Sequence, residues 1–400
     1  MQKRLQLLLA LLVFVVTSAM AQITTSGISG KISSNDETVI GATVTATHQP
    51  SGTVYRAVTN VDGRYTIQGM RPGGPYKVEV SYIGYKDKSV SNVSLILGET
   101  TNLTFSLQED AHQLQEVVVA GKAGLAASRT GAATSMNAEQ INNMPSITHG
   151  IADVARLNPQ LTVTNSGNMS FAGVNNRYNN FMIDGAANND VFGLAPSGNN
   201  GGLAGAQPVS METIEQIQVS VAPFDVRQSG FTGGAINAIT KSGTNQFHGS
   251  AYYYGYNQDL IGTKYPYLDG TGYAPKYQKQ TQYNMGVTLG GPIIKNKLFF
   301  FANYERTNKE YPNLYGVDSG NSKVNTEQAK DILTMLQKIA EKQGVNFNDY
   351  YSNQDIYTKS DKAGLKLDWN INEFNKFAIR WSLVKAEQLS GGGSASSLNS

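Results

Sequence analysis

The chain has 400 residues, which is room for two or three domains at ~100–200 residues each. Its 32 basic and 30 acidic side chains nearly cancel, so no polyanionic partner such as nucleic acid is suggested. Cysteine is absent, which excludes a disulfide framework, a thiolate metal site and a cysteine nucleophile. The abundant glycine and tyrosine (41 and 21 residues) favour short strands and turns.

The N-terminus has the pattern of a secretory signal peptide. Lys3 and Arg4 precede an apolar run at 5–16, and a small-x-small triplet ends at Ala21, directly before Gln22. The run is shorter than the ~20 residues that a membrane-spanning helix needs. We therefore expect export, with cleavage between Ala21 and Gln22.

Residues 22–109 are predicted to form a small β-sandwich. Six strand-like segments alternate with turn signals at a spacing typical of such domains. Asp62-Gly63 lies between two of them and indicates a β-hairpin, because a type I′ turn needs positive φ at both central residues. The segment Arg71–Pro75, RPGGP, forces another turn.

The segment 58–85, VTNVDGRYTIQGMRPGGPYKVEVSYIGY, resembles the carboxypeptidase-regulatory-like domains, which have a transthyretin-type fold. Despite that name no enzyme is implied, since the histidines form neither a His-x-x-Glu nor a His-Glu-x-x-His motif. The domain is either a periplasmic spacer or a module that binds carbohydrate or a partner protein. We favour the spacer, because Tyr82 and Tyr85 fit a core as well as a binding face.

A polar linker follows, and within it lies a short segment with high strand propensity: Leu114, Gln115, Glu116, Val117, Val118 and Val119. The sequence offers this segment no neighbouring strand, so it is expected to add to the edge of a partner's sheet through main-chain hydrogen bonds. It resembles the TonB box, through which the energy-transducing protein TonB engages the TonB-dependent receptors of the bacterial outer membrane. A stray core strand is the alternative explanation.

Residues 123–244 are predicted to form a mixed α/β domain. Prolines end two predicted helices, Ala138–Asn143 and Ile147–Leu157. The strands are expected at Asn168–Val174, Asn180–Asp184, Glu215–Val221 and Ala235–Thr240. The segment 169–193, MSFAGVNNRYNNFMIDGAANNDVFG, resembles the plug domain of the same receptors. Because the family usually has Arg-Gly where Ala172-Gly173 stands, no role of that arginine is carried over.

The resemblance implies that the loops after Asn165 and Asp184 face outward, at the apex where ligand is first met. The ligand-binding residues implied there are Asn188, Asn189, Asp190, Asn199 and Asn200. For each of them ordinary turn chemistry is the alternative, since asparagine tolerates left-handed backbone and bonds to its own turn.

Residues 211–256, METIEQIQVSVAPFDVRQSGFTGGAINAITKSGTNQFHGSAYYYGY, mark the change from plug to barrel. They resemble the TonB-dependent receptors again, and in particular the Oar-like branch, which carries a carboxypeptidase-regulatory-like domain in front of the plug.

Beyond residue 245 the periodicity predicts the first strands of a transmembrane antiparallel β-barrel. Apolar residues alternate with polar ones, which gives each strand one lipid face and one lumen face. Five strands are expected, around 247–256, 282–289, 298–306, 364–371 and 376–383.

The connections between these strands run long, short, long, short, as expected where short turns face the periplasm and long loops face outward. Gly290–Pro292 and Asn372–Asn375 are the predicted periplasmic turns. Phe299-Phe300-Phe301 is expected in the inner aromatic girdle, and Glu327–Gln343 is a predicted helix in the second outside loop.

A plugged transporter of this class needs about 22 strands, and five would leave an unpaired edge. The chain is therefore predicted to be the N-terminal fragment of a longer receptor, ending in a glycine- and serine-rich loop at 391–400.

The fold expected is mainly β: a transthyretin-like sandwich, an α/β plug and an incomplete transmembrane barrel. The expected domains are a signal peptide (1–21), the sandwich (22–109), a linker with the TonB box (110–122), the plug (123–244) and five barrel strands (245–400).

The resemblance implies a TonB-dependent outer-membrane transporter that takes up a large solute (a glycan, a peptide or a chelate). The expected partners are TonB, outer-membrane lipids and the solute, with a surface lipoprotein if the cargo is a glycan, and no nucleic acid. No catalytic residue, cofactor or metal site is expected. The alternatives are an adhesin or secretion-associated barrel that pumps nothing, and an exported enzyme whose site lies beyond Ser400.

Overall fold

The computed structural model describes residues 24–35, 37–109, 118–119, 132–144, 146, 149–164, 169–190, 192–195, 197–221, 231–261, 279–313, 326–344 and 355–389. These form a sandwich, a mixed central sheet and an open sheet of long strands, so the expected mainly-β class is confirmed. The predicted cleavage site at Ala21 and Gln22, and residues 114–117 of the predicted TonB box, lie outside the described residues. No helix in the described ranges is both long and apolar enough to cross a bilayer.

The N-terminal sandwich consists of two sheets. Its strands are β1 (Ser26–Ser34), β2 (Glu37–Thr38), β3 (Thr43–His48), β4 (Thr53–Val58), β5 (Arg64–Met70), β6 (Gly73–Ser81), β7 (Lys88–Leu95), β8 (Thr100–Asn102) and β9 (Phe105–Ser106). One sheet has the order β2-β1-β5, with β8 and β9 parallel to β1, and the other contains β7-β6-β3-β4. The sequence analysis does not predict β7.

The sandwich core follows from alternation along its strands. In β3 and β6 the buried residues include Val44, Ala46, Val78 and Val80, and the residues between them are more exposed. The rings of Tyr82 and Tyr85 are half-buried and pack against this core. The two tyrosines therefore pack against the core and do not form an exposed binding face.

The turn at Asp62-Gly63 is present, but it does not close the predicted β-hairpin. β4 pairs with β3 and β5 pairs with β1, so the turn carries the chain from one sheet to the other. Of the two residues only Gly63 has a positive φ, of 70°, whereas a type I′ turn needs both. The crossing places Tyr55 and Tyr65 on opposite sheets, where both are buried in the shared core.

The segment 118–119 has a neighbouring strand, contrary to the sequence analysis. β10 (Val118–Val119) pairs in parallel with β7, with Val118 opposite Ser89 and Val119 opposite Val90. The strand partner was missed because β7 itself was missed. Main-chain pairing at a sheet edge is the mode expected for this segment, but here the edge belongs to the same chain.

The central domain has a five-stranded sheet of order β11-β16-β17-β14-β15. Its elements are β11 (Ala132–Asn137), α1 (Ala138–Asn143), α2 (Ile151–Ala155), β12 (Leu161–Val163), β13 (Met169–Phe171), β14 (Asn180–Ile183), β15 (Ala186–Ala187), β16 (Ile214–Val221) and β17 (Gly234–Thr240), with 3₁₀ turns at Asn176–Tyr178, Gly202–Ala204 and Met211–Thr213. The four predicted strands and the first helix are confirmed, while α2 is shorter than predicted.

Two local features fix this domain. Asn137 begins α1 with a capping box, in which its side chain accepts the Gln140 N–H and the Gln140 side chain accepts the Asn137 N–H. The strands β14 and β17 pair in parallel and are buried along their whole length. Such strands are rich in apolar residues, as FMI in β14 and AINAI in β17 are here, although Asn237 interrupts the second run.

The C-terminal sheet is an antiparallel meander in chain order. Its strands are β18 (His248–Asn257), β19 (Thr281–Ile294), β20 (Leu298–Tyr311), β21 (Ile356–Asn370) and β22 (Lys376–Leu389), and α3 (Gln258–Ile261) and α4 (Thr326–Lys342) lie in the two long connections. All five predicted strands and the helix in the second long connection are confirmed. Four of the strands have 14 or 15 residues, longer than the roughly ten expected.

The first predicted turn is wrong, and a turn is present at the second position. Gly290–Pro292 continues β19 and pairs with β20, and side chains at Gly290 and Gly291 would meet the rings of His248 and Phe247. The turn lies instead at 295–297, where Asn296 takes a φ of 62°. In the second turn the side chain of Asn372 accepts the N–H groups of Phe374 and Asn375.

The predicted position in the aromatic girdle is wrong for two of the three phenylalanines. Successive strand residues point to opposite faces, so Phe299-Phe300-Phe301 cannot share one environment. Phe299 and Phe301 are buried, with 1% and 3% exposure, on the face that meets the central domain. Only Phe300 lies on the outer face.

A pH dependence of stability follows from His48. This side chain is 5% exposed, and its Nδ1 lies 2.7 Å from Ser51 Oγ. Burial, aided by the charge of Arg71, lowers its pKa from 6.5 to about 3. The unfolded chain therefore binds a proton that the folded chain rejects, and stability is lost as the pH falls from 6.5 toward 3.

We expect the excised sandwich, residues 22–109, to lose about 2 kcal/mol of unfolding free energy between pH 7 and pH 5. His48 is the only histidine in that range, and the sandwich has its own core. Urea unfolding at both pH values measures the loss. The control is His48→Gln, which should remove most of the difference; a difference that survives the substitution contradicts the assignment.

Candidate functional site at the seam between plug and barrel

The central domain and the barrel strands meet along a seam of charged side chains, built around the turn that follows β14. Asp184 and Gly185 have φ values of 49° and 81°, a left-handed pair that closes the short hairpin to β15. Aspartate and glycine tolerate this conformation better than most residues. The turn directs the Asp184 carboxylate toward β17 and the barrel.

The Asp184 carboxylate is bound from both domains. Thr240 of β17 donates its N–H to Oδ1 over 2.9 Å and its hydroxyl to Oδ2 over 2.6 Å. From the barrel, Lys366 Nζ lies 3.3 Å from Oδ1 and Arg380 Nε lies 3.4 Å from Oδ2. Lys366 also donates to the Thr240 carbonyl oxygen over 3.1 Å. One carboxylate therefore joins the plug sheet to two adjacent barrel strands.

A second cluster lies further along the seam, around Glu305 of β20. Its Oε1 accepts from Lys362 Nζ over 2.5 Å, and its Oε2 accepts from Ser210 and Tyr252 over 2.6 and 2.7 Å. The side chains of Glu305 and Lys362 are 8% and 6% exposed. Ser210 belongs to the central domain, so this cluster also joins the two domains.

Burial makes the Glu305 cluster costly to disrupt, and the Asp184 cluster, whose charged side chains are 11–20% exposed, is costly to a lesser degree. A buried pair is weak evidence for stability in itself, but removing one partner leaves an uncompensated charge, at about 3–5 kcal/mol. Since barrel and plug each contribute partners, separating the domains must break the pairs or rehydrate them. The seam therefore holds the plug against the barrel strands.

The predicted apex lies at the far end of the seam from the sandwich. Gly201 and Gly205 approach Val384 and Thr358, near the barrel strand ends that lead into or out of long connections. Asp184 contacts Lys366, nearer the opposite ends of the strands. Asn200, next to Gly201, thus lies toward the long connections, and an outward-facing apex stays a prediction.

The side chains of three of the five predicted apex residues form hydrogen bonds that stabilise the loop that contains residues 188–200. The side chain of Asn189 accepts the Phe181 N–H over 2.7 Å and donates to Asn180. Asp190 accepts N–H groups of its own loop, Phe192 and Ala195 among them, and these bonds lower its carboxyl pKa. Asn199 is 3% exposed and accepts the hydroxyl of Ser197.

The other two apex residues are less engaged. Asn200 is exposed. The Oδ1 of Asn188 is buried and has no hydrogen-bond partner among the described residues. Ligand binding by the five residues stays a prediction, for which these two side chains have the most unused hydrogen-bonding capacity.

The seam was not predicted from the sequence. Alternation places Lys366 and Arg380 on the polar faces of their strands, but their partner Asp184 is 182 positions from Lys366. The available signal was the number of charges on the lumen face, with Lys362, Lys366 and Arg380 on β21 and β22. Charges that face a lumen filled by protein need buried partners. Among the described residues no group of acidic and histidine side chains could hold a metal ion.

Three family models match the chain. The carboxypeptidase regulatory-like domain matches residues 27–108, the TonB-dependent receptor plug domain matches 126–236, and an outer membrane beta barrel domain matches 239–317. These matches fall on the sandwich, the central sheet and the beginning of the long-stranded sheet. The chain belongs to the TonB-dependent receptors, and it is an outer-membrane protein.

Particular relatives agree with this class. The TonB-dependent transporter Oar of Myxococcus xanthus is 29% identical over 273 residues, which are 65% of this chain and 24% of Oar. The probable TonB-dependent siderophore receptor PirA of Acinetobacter baumannii is 31% identical over 102 residues, 25% of this chain and 11% of PirA. The chain thus spans about a quarter of the length of Oar. These relatives are a transporter and a receptor, not enzymes.

The crystal structure of the siderophore receptor PirA from Acinetobacter baumannii aligns with this chain at 20% sequence identity and a TM-score of 0.44. The alignment covers 66% of this chain and 32% of that one.

The substitution Asp184→Asn in the full-length protein should loosen the plug. It removes the charge that compensates Lys366 and Arg380, at an expected cost of about 3–5 kcal/mol to the seam. We expect faster proteolysis of the plug in isolated outer membranes, and greater sensitivity of cells to a large antibiotic that an intact outer membrane excludes.

The matched control is Asp62→Asn, which removes the same charge from an exposed turn of the sandwich. It should change neither measurement. A plug that is equally resistant in both variants would contradict the role given to Asp184.

Proposed function

We propose that the protein takes part in energised uptake of a large solute through a plugged outer-membrane barrel. The observation that carries the proposal is the seam of buried ion pairs, in which Asp184 and Ser210 of the plug bind barrel side chains. A plug held in this way blocks passage, and it opens only when work is done on it.

The energetics support a need for external work. If the seam opened without rehydration of its charges, each buried charge left without its partner would cost about 3–5 kcal/mol, which makes spontaneous opening a roughly one-in-a-thousand event. Opening would also break the hydrogen bond from Ser210 to Glu305, while the Glu305–Lys362 pair would stay within the barrel strands. In this proposal TonB supplies the work by binding residues 114–119 as an added strand and pulling on them.

The solute is proposed to be a glycan, a peptide or a chelate that meets the apex loop first. The amide groups of Asn188 and Asn200 suit a ligand rich in hydrogen-bonding groups, which all three classes are. PirA carries the name of a siderophore receptor, and its likeness to this chain keeps a chelate among the candidates. Outer-membrane lipids are further proposed partners, and a glycan cargo would add a surface lipoprotein.

The test is Val118→Pro in the full-length protein. Proline removes the N–H that strand addition needs, so energised uptake should fall at least tenfold while solute binding to the cell surface is unchanged. The matched control is Val118→Thr, which keeps the N–H and the strand propensity and should keep uptake.

Uptake is measured with labelled oligosaccharides, oligopeptides and ferric chelates, with and without a protonophore. Full activity of the Val118→Pro variant, together with no effect of the protonophore, would contradict energised transport. That result would favour an adhesin or secretion-associated barrel, which has no use for the segment.

A further inference from the structure

The sandwich is bound to the plug through two buried glutamines of β16. Gln216 accepts the Leu97 N–H over 2.7 Å and donates to the Leu95 carbonyl over 3.0 Å, while Gln218 donates to the Leu97 carbonyl over 3.0 Å. Gln216 and Gln218 are 3% and 7% exposed, and Leu95 and Leu97 are fully buried. All three bonds are thus shielded from water.

The sandwich touches the barrel at another place, through the β3–β4 hairpin. Arg56 lies 2.6 Å from Glu373 in the turn between β21 and β22, with both side chains more than half exposed. Thr53 accepts from Asn370 over 2.9 Å. The backbone at position 50 accepts the N–H of Asn245, just before the first barrel strand, over 2.8 Å.

The two attachments differ in strength. Exposed ion pairs contribute little, because water screens them and competes for both partners. Buried amide bonds are costly to lose, since the separated groups stay desolvated. A cavity of about 330 Å³, lined in part by Arg71, Asp184 and Lys376, also lies where the sandwich meets plug and barrel. The ion pair on the barrel side is therefore exposed to solvent, whereas the three amide bonds on the plug side are buried.

The route of traction passes through the same domain. The described part of the predicted TonB box, β10, pairs with β7. β7 ends at Leu95, where the bonds to Gln216 begin. A pull on β10 thus acts on the strand that is tied most firmly to the plug sheet.

We propose that the sandwich and the plug strand β16 move as one body, and that the hairpin contacts with the barrel rim are those that open during uptake. The sandwich is then a strap across the periplasmic end of the barrel, released at its weak side. This inference rests on the proposed energised uptake, and it assigns the domain a mechanical role beyond that of a spacer.

Two reversible cross-links in the full-length receptor test the strap. The barrel-side lock is Thr53→Cys with Asn370→Cys. The plug-side lock is Arg71→Cys with Glu215→Cys, at two residues that line the cavity between sandwich and plug and take no part in the glutamine bonds. The 400 residues contain no native cysteine, so the only thiols within them are those of the lock and of the reporter. Each pair is bridged by a short bis-maleimide with a reducible centre, while a protonophore keeps the cells de-energised.

The reporter of plug movement is Val209→Cys, at a position that is 6% exposed and lies shortly before β16. After the protonophore is removed, labelling by a membrane-impermeant fluorescent maleimide follows exposure of this cysteine. We expect the barrel-side lock to lower the labelling rate at least tenfold, to the rate seen with protonophore. The plug-side lock should leave the rate unchanged, and reduction of the cross-linker should restore labelling in the first variant.

Labelling that survives the barrel-side lock would overturn the strap while leaving energised uptake in place. Equal block by both locks would also overturn it, because sandwich and plug would then have to separate. No energised labelling in the unlocked protein would overturn the uptake proposal and the strap with it. A second barrel-side pair, Arg56→Cys with Glu373→Cys, replaces the first if that variant does not fold, since both residues are exposed.

Discussion

The organisation of this protein depends on the neutralisation of charge in the space between two β-sheets. The barrel strands carry lysine, arginine and glutamate on the face that meets the plug, and such groups cannot be buried alone. The plug supplies Asp184 and Ser210 at the matching positions. These contacts form only when the plug sheet brings Asp184 and Ser210 opposite the barrel charges.

The same logic orders the N-terminal half. The sandwich has a core of its own, and polar contacts contribute to its placement on the plug. Two glutamines on β16 satisfy the main chain of residues 95–97, as a neighbouring strand would do. On the opposite side the ion pair between Arg56 and Glu373 is exposed. The domain predicted to be a spacer is thus attached unequally to its two neighbours. It has buried bonds to the plug and an exposed ion pair to the barrel.

Much of the fold could be predicted from local patterns, because alternation along a strand reports which face is buried. The five barrel strands and the helix α1 follow from such patterns. β7 was missed because its Lys-Ser-Val-Ser-Asn start reads as a loop, and Gly290–Pro292 was misplaced because glycine and proline usually mark turns. The seam was out of reach, since Asp184 meets Lys366 only through tertiary structure.

The left-handed turn at Asp184 narrows what evolution can place there. A φ of 49° favours glycine, asparagine and aspartate over other residues. Of these three, aspartate alone carries the negative charge that faces Lys366 and Arg380. Backbone geometry and electrostatics are two independent constraints, and aspartate is the residue that meets both. In a library of all substitutions, replacements at this position should be among the least tolerated in the chain.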